Sequence, residues 1–346
     1  MSTFDDEIEL QDAESEMFEH YRFQVDKGQS LLRIDKYLMM RIENATRNKI
    51  QQAAKAENIL VNNAAIKSSY RVKPNDVITI VLPDPPRDTG IFPENIPINV
   101  LFEDDDLIVI DKQAGLVVHP GHGNYTGTLL HGLKYHFNET GNEAIDALLV
   151  HRIDKDTSGI LVVAKNETIQ AQLAKQFFDH SIERKYQALV WGNFEETEGT
   201  IRGHIARNPY NRMQMAIFPD GLTGKHAVTH YRLLERFGYV SLIECQLETG
   251  RTHQIRAHMK FIGHTLFNDS RYGGDQILKG TTFTKYKQFV ENCFQLIPRQ
   301  ALHAKSLKFI HPGNGKTLFF ESPLPEDMIL ALEKWRNYSQ HQQLDE

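Results

Sequence analysis

The apolar positions of this 346-residue chain change period along its length. Leu31, Ile34, Leu38 and Ile42 recur at the three-to-four-residue spacing of a helix. Thr46 is a capping residue type and predicts a second helix running to about Glu57. Ile59-Leu60-Val61 followed by Asn62-Asn63 reads as a short strand and a turn, and Val77–Val81 as another strand. Pro83, Pro85, Pro86, Pro93 and Pro97 then crowd residues 83–97 and predict an extended connection. Beyond it, short apolar runs predict strands at Ile98–Phe102, Leu107–Asp111, Ile160–Val163, Tyr186–Trp191, Thr229–Leu234 and Val240–Leu247. Helical stretches fall near Thr126–Phe137, Glu167–Phe178 and Thr252–Ile262. Because strands and helices do not alternate regularly, a doubly wound parallel sheet is not expected. The pattern predicts an α+β domain over residues 98–346 with a mixed, mostly antiparallel sheet, preceded by a small α+β unit over 21–82. No internal repeat is visible.

Composition is that of a globular protein with a core of its own. No apolar run approaches the ~20 residues needed to cross a bilayer. The N-terminus lacks the basic start and apolar stretch of a secretory signal. Cys245 and Cys293 stand too far apart for a disulfide framework or a zinc site, so a reducing cytoplasm is the expected compartment. No His/Cys group has ligand spacing, and no metal is expected.

The net charge of −6 argues against a nucleic-acid partner until its distribution is read. Residues 1–20 hold eight acidic side chains and no Lys or Arg; removing them from −6 leaves +2 for the rest. So acidic a tail, poor in apolar residues, is expected to be disordered. From Ser30 to Leu82 nine Lys/Arg face four Asp/Glu. Arg33, Lys36, Arg41, Arg47 and Lys49 lie on the two predicted helices, and Lys67, Arg71 and Lys73 follow the first strand. Such charges alone read as a solvated face, but a patch of one sign spanning several elements is also the footprint of a nucleic-acid-binding surface. The order helix, helix, strand, strand resembles the small RNA-binding domain of the S-four type, through Arg33–Leu38, Ile59–Asn62 and Val72–Ile78.

Three further segments carry candidate chemistry. His151-Arg152-Ile153-Asp154-Lys155-Asp156-Thr157-Ser158-Gly159 is a polar loop between the apolar runs Leu148–Val150 and Ile160–Val163, a rigid mount of the kind that carries function; taken alone it is also a plain turn. In Arg184–Gly192, Tyr186 and Ala188 alternate on one strand face, where Tyr186 could equally be a core aromatic. Leu247–His258 runs strand, glycine, helix. Ile255, Met259 and Ile262 face the core there, and Arg256 lies about 100° round the helix, at the edge of the buried stripe. Such an arginine needs a carboxylate partner or a path to solvent. His253 and His258 are five apart with no Glu after the first, so this is not a zinc-protease helix.

Together and in this order, these segments resemble the pseudouridine synthases of the ribosomal large subunit type, over about residues 25–330. The His-Arg-Leu-Asp signature reads His151 to Gly159, with Ile153 for Leu. Asp111–Gly115, Lys185–Ala188, Gly250–His258 and Arg299–Ala304 match further blocks. Gln113, His131, Thr265 and Asn268 depart from the usual Pro, Asn, Pro and Gly. The resemblance implies an isomerase of RNA uridines that needs no cofactor. It implies Asp154 as the nucleophile, Tyr186 as the active-site tyrosine, and Arg256 as the partner that keeps Asp154 ionised, with Arg251 as second choice. Expected RNA contacts are Arg152, Arg251, Arg33, Lys36, Arg47 and Lys49. The expected partner is large-subunit rRNA, with tRNA as the other RNA candidate; no membrane or nucleotide cofactor is expected, and a monomer is the default. A non-catalytic RNA-binding protein or a glycoside hydrolase would each leave part of this pattern unexplained.

Overall fold

A computed structural model describes residues 18–42, 45–82, 90–121 and 123–344. The expected disorder of the acidic tail lies outside the described residues up to residue 17, as does the first part of the Pro-rich stretch. The chain divides into two compact units, Met1–Thr89 and Gly90–Glu346.

The small unit runs β1 (Phe18–Gln24), β2 (Leu32–Arg33), α1 (Ile34–Met39), α2 (Arg47–Lys55), β3 (Ile59–Val61), β4 (Ala64–Ala65), β5 (Arg71–Val72) and β6 (Val77–Leu82). Its sheet has the order β1-β6-β3-β4, with β2 paired to β5. β1 takes in Phe18–His20, which sequence pattern assigned to the tail; aligned on β6, this strand is held by its ladder rather than by its charge. The first helix starts at Ile34, not at Leu31, which is exposed. Thr46 Oγ1 accepts from Lys49 N, as its cap role requires. Asn62 and Asn63 both take left-handed backbone (φ 50° and 63°), the geometry of a tight hairpin between β3 and β4. Ile34, Tyr37, Leu38, Ile50, Ile59, Val72 and Ile78 form the core.

The large unit runs β7 (Asn99–Glu103), β8 (Leu107–Lys112), α3 (Leu129–Glu139), β9 (Leu148–Leu149), β10 (Ser158–Ala164), α4 (Glu167–Phe178), β11 (Glu183–Trp191), β12 (Glu198–Arg207), β13 (Met215–Phe218), β14 (Lys225–Arg236), β15 (Val240–Leu247), α5 (Gln254–Phe261), α6 (Thr284–Leu296), β16 (Leu302–Ile310), β17 (Thr317–Glu321) and α7 (Glu326–Leu344). One 11-stranded sheet has the order β13-β12-β14-β15-β11-β16-β10-β8-β7, with β17 on β16 and β9 on β10. Among the described residues only β10 and β16 pair in parallel. The fold is thus the mixed, mostly antiparallel α+β architecture that the pattern predicts.

β10 is buried along its whole length: Leu161 and Val163 enter one apolar cluster, Ile160 and Val162 another. Burial on both faces explains why it reads as a continuous apolar run. The first cluster also takes Tyr186 and Ala188 from β11 and Ile255 and Met259 from α5, locking these three elements together. At Gly159 (φ 111°) a Cβ would lie 2.2 Å from Ala304 O, so the parallel contact of β10 with β16 demands glycine just after the polar loop.

Candidate active site

The loop between β9 and β10 carries Asp154, and it is pinned from several sides. The buried Lys112 ammonium donates to the carbonyls of Gln113, Leu116 and Lys155 at 2.8–2.9 Å. Burial, offset in part by Asp156, pushes Lys112 down to about 7. Gly115 N also donates to Lys155 O, at 3.0 Å. Arg299, itself bidentate on Asp327, donates to Asp156 O at 2.9 Å. His151 Nε2 accepts from Val162 N at 3.0 Å, so the first residue of the signature ties loop to strand. Ile153 enters the core, which accounts for an apolar residue there.

Asp154 faces a cavity of about 480 Å³ with a fifth of its side chain exposed. Tyr186, Thr157, Leu302, Leu247 and the Thr249–Arg256 segment also line it. Arg256 Nη1 donates to Asp154 Oδ2 at 2.8 Å. Its Nε and Nη2 are held by the two oxygens of buried Asp269 at 2.7 and 2.8 Å, and its guanidinium lies over the Tyr272 ring. Burial alone would lower the arginine; the two carboxylates reverse that and leave it raised. Asp154 Oδ1 accepts no hydrogen bond among the described residues, so one carboxylate oxygen is left for a ligand.

Tyr186 is buried on β11 and its hydroxyl also makes no hydrogen bond among the described residues. Burial raises its pKa, so the phenol stays protonated at neutral pH. His253, in left-handed backbone at the start of α5, places Nε2 3.8 Å from Asp154 Oδ2 and Nδ1 3.1 Å from the Tyr272 hydroxyl. Burial pushes it down to about 4, so it is neutral near pH 7.

The structure therefore brings Asp154, Tyr186 and Arg256 to one cavity. Arg251 lines it but donates to His226 O instead of pairing with Asp154. Arg152 is exposed at the rim, 3.0 Å from His119 Nε2. In the small unit, Arg33 and Arg47 both bind the buried Asp35, while Lys36 and Lys49 are exposed. Sequence reading gave no role to Asp269, which sits in an irregular loop. Its only advance signal was that Arg256 had to find a buried carboxylate. None of Gln113, His131, Thr265 and Asn268 lines the cavity. Asn268 takes φ 55°, a conformation that glycine and asparagine both tolerate, and its amide donates to Phe294 O and Ile297 O. Among the described residues no group of three His, Cys, Asp or Glu could hold a metal, and no helix is long and apolar enough to cross a membrane.

Comparison with known proteins gives concordant matches. The family model described as RNA pseudouridylate synthase matches residues 106–261, and the S4 domain model matches residues 32–78. An uncharacterized RNA pseudouridine synthase of Chlorobaculum parvum is 47% identical over 90% of this chain and 96% of its own length. The ribosomal large subunit pseudouridine synthase D of Nitrosomonas europaea is 41% identical, with 88% and 85% covered. The solved structure of human RNA pseudouridylate synthase domain containing 4 shares the fold at a TM-score of 0.55 and 24% identity, covering 69% of this chain and 93% of that one.

Proposed function

We propose that this chain, which belongs to the RNA pseudouridylate synthase family and is an isomerase of RNA uridines, acts on large-subunit rRNA with Asp154 as its nucleophile. The target class is supported by relatives named for the ribosomal large subunit, and such a substrate puts the work in the cytoplasm. The nucleophile is supported by one observation above the rest: Asp154 lines the cavity with Oδ2 fixed by a buried arginine that Asp269 holds from its other edge, while Oδ1 accepts no hydrogen bond among the described residues.

The reaction breaks the bond from uracil N1 to ribose C1′, turns the base, and joins C5 to C1′; C5 gives up one proton and N1 gains one. Atoms and electrons balance within one nucleotide, so no redox partner is consumed. A carboxylate nucleophile divides this into easier steps by bonding to the nucleoside, at the sugar or at the ring, and leaving again. Arg256 orients that carboxylate. The Tyr186 ring offers the detached base a stacking face, and its hydroxyl, protonated at rest, can relay the proton that C5 gives up. A uridine in structured RNA must leave its stack to reach the cavity, and Arg152 stands at the rim where it can fill the gap. The Arg33, Lys36, Arg47 and Lys49 surface of the small unit contacts phosphates.

The test is a map of pseudouridines across all rRNA and tRNA from cells lacking the gene, complemented with wild type or with Asp154→Asn. Loss at defined large-subunit uridines, restored by wild type alone, is the expected result. Loss confined to tRNA would overturn the target, and restoration by Asp154→Asn would overturn the nucleophile.

A further inference from the structure

Two further cations, Arg184 and Arg251, line the cavity without a part in the steps above, and Arg251 is held by His226 O. Arg184 is 7% exposed, yet it makes no hydrogen bond or ion pair among the described residues, and its Nε is buried without a partner. Its guanidinium rests over the Phe177 ring, 5.1 Å from the centroid, and its Nη1 tip lies where a Cβ at Gly250 would come within 2.8 Å. An isolated charge taken out of water costs several kcal/mol unless a counter-charge meets it. Buried arginines elsewhere in this unit obey that rule: Arg256 has Asp154 and Asp269, and Arg299 has Asp327.

A second donor stands beside it. His151 Nε2 accepts from the Val162 amide, which leaves the ring proton on Nδ1, and Nδ1 is out of solvent with no partner. The His151 ring packs on the same Phe177, 4.6 Å between centroids. Burial and then the Arg184 charge push this histidine down to about 3, so it is uncharged. Two unpaired donors, one of them a full positive charge, thus share one wall. Arg184 and Tyr186 are two residues apart on β11, ~7 Å between Cα atoms, and both line the cavity.

We infer that Arg184 and His151 Nδ1–H form a built receptor for one phosphodiester of the RNA, that of the target uridine or its immediate neighbour. The inference rests on the RNA-isomerase reading of this cavity. Uracil is neutral and cannot offset the buried charge, whereas every nucleotide of the substrate brings an anion with it. The phosphate fixes the ribose while the base is free to turn, which the reaction requires.

The experiment uses the full chain and a short large-subunit rRNA fragment that the wild-type protein binds and that holds one candidate target uridine. One version has ordinary phosphates; others carry a neutral methylphosphonate just 5′ or just 3′ of that uridine. Arg184→Met should raise KM roughly 10- to 100-fold, the worth of a charged hydrogen bond, and lower the salt slope of binding by about one. Arg184→Lys should recover part of both. One methylphosphonate should cost wild type a similar factor and cost Arg184→Met almost nothing. With no RNA present, Arg184→Met should keep or raise Tm, because an unpaired buried charge has been removed. Independent, multiplying effects of the substitution and the neutral phosphate would overturn the receptor. Binding and product are read separately: coupled binding with no pseudouridine from wild type would sink the isomerase reading alone.

Discussion

The two units of this protein use the same ionic device with the signs exchanged. In the small unit, two arginines converge on one fully buried aspartate: Asp35 takes Arg33 at 2.9 Å and Arg47 at 3.1 Å. In the large unit, two aspartates converge on one buried arginine. Each triad leaves one unit of charge over, and its placement differs. The surplus in the small unit is positive and sits on half-exposed guanidiniums facing solvent. In the large unit it is negative and belongs to Asp154, at the wall of a cavity. An ion triad fixes geometry in both; the members that reach the surface are two guanidiniums in the small unit and one carboxylate in the large.

The largest effect should come from removing the shared member of the large triad. Arg256→Met leaves Asp154 and Asp269 without their cation and should destabilise the large unit by about 3–5 kcal/mol. Both tryptophans, Trp191 and Trp335, lie in that unit, so fluorescence during urea unfolding reads it directly. An unchanged midpoint would mean the triad is not what holds this site. Tyr186→Phe keeps the ring and loses the proton relay; kcat should fall roughly 10²- to 10⁴-fold with KM little changed. A rise in KM alone would reduce Tyr186 to a binding surface.

Asp35→Ala strands two arginines and should lower the small unit's stability by about 2–3 kcal/mol, less than for a fully buried triad because Arg33 and Arg47 reach water. kcat at saturating RNA should not change, and a fall would mean the two triads are not separate devices. Acid separates them as well. His253, His258 and His303, all pushed from 6.5 to about 4 chiefly by burial, are neutral in the folded large unit. The unfolded chain binds protons first, so the large unit loses stability as pH falls from 6.5 toward 4. Asp35 is depressed from 3.8 to about 2; its burial is outweighed by Arg33 and Arg47, and its contribution is lost only as pH falls from 3.8 toward 2. Tryptophan fluorescence should therefore change at higher pH than the small unit's circular dichroism; the reverse order would contradict this assignment. The smallest effect is on binding: Lys36→Ala and Lys49→Ala, both exposed, should each lower the salt slope for RNA by about one without altering kcat.

Much of this was legible in the chain because period and chemistry coincide there. Val240–Leu247 and Glu167–Phe178 take the bounds their patterns indicate. The Asp154 loop stood out as polar residues between two fully apolar runs, and Arg256 as a charge beside a buried helical stripe. What sequence could not supply is pairing across long separations. β10 meets β16 nearly 150 residues away, and Arg256 meets Asp269 in a loop with no period of its own. β12, a half-buried strand with glycines, gives a weak alternation. The closing helix α7 carries Met328, Ala331, Leu332 and Trp335 at helical spacing, a signal present in the sequence but not among the elements it was used to predict. Arg33 and Arg47 were legible as basic residues, but their common partner Asp35 was hidden among charges that read as a solvated face.

The most direct measurement is a count of pseudouridines formed in unmodified large-subunit rRNA by purified wild type, Asp154→Asn and Asp269→Asn. Asp154→Asn should bind the RNA and form no product, a loss of about 10⁴-fold or more, as for nucleophiles removed from other enzymes. Asp269→Asn, which only loosens the arginine, should retain measurable turnover. Product from Asp154→Asn at the wild-type rate, or equal loss in both variants, would contradict the assignment of the exposed carboxylate as the one that attacks.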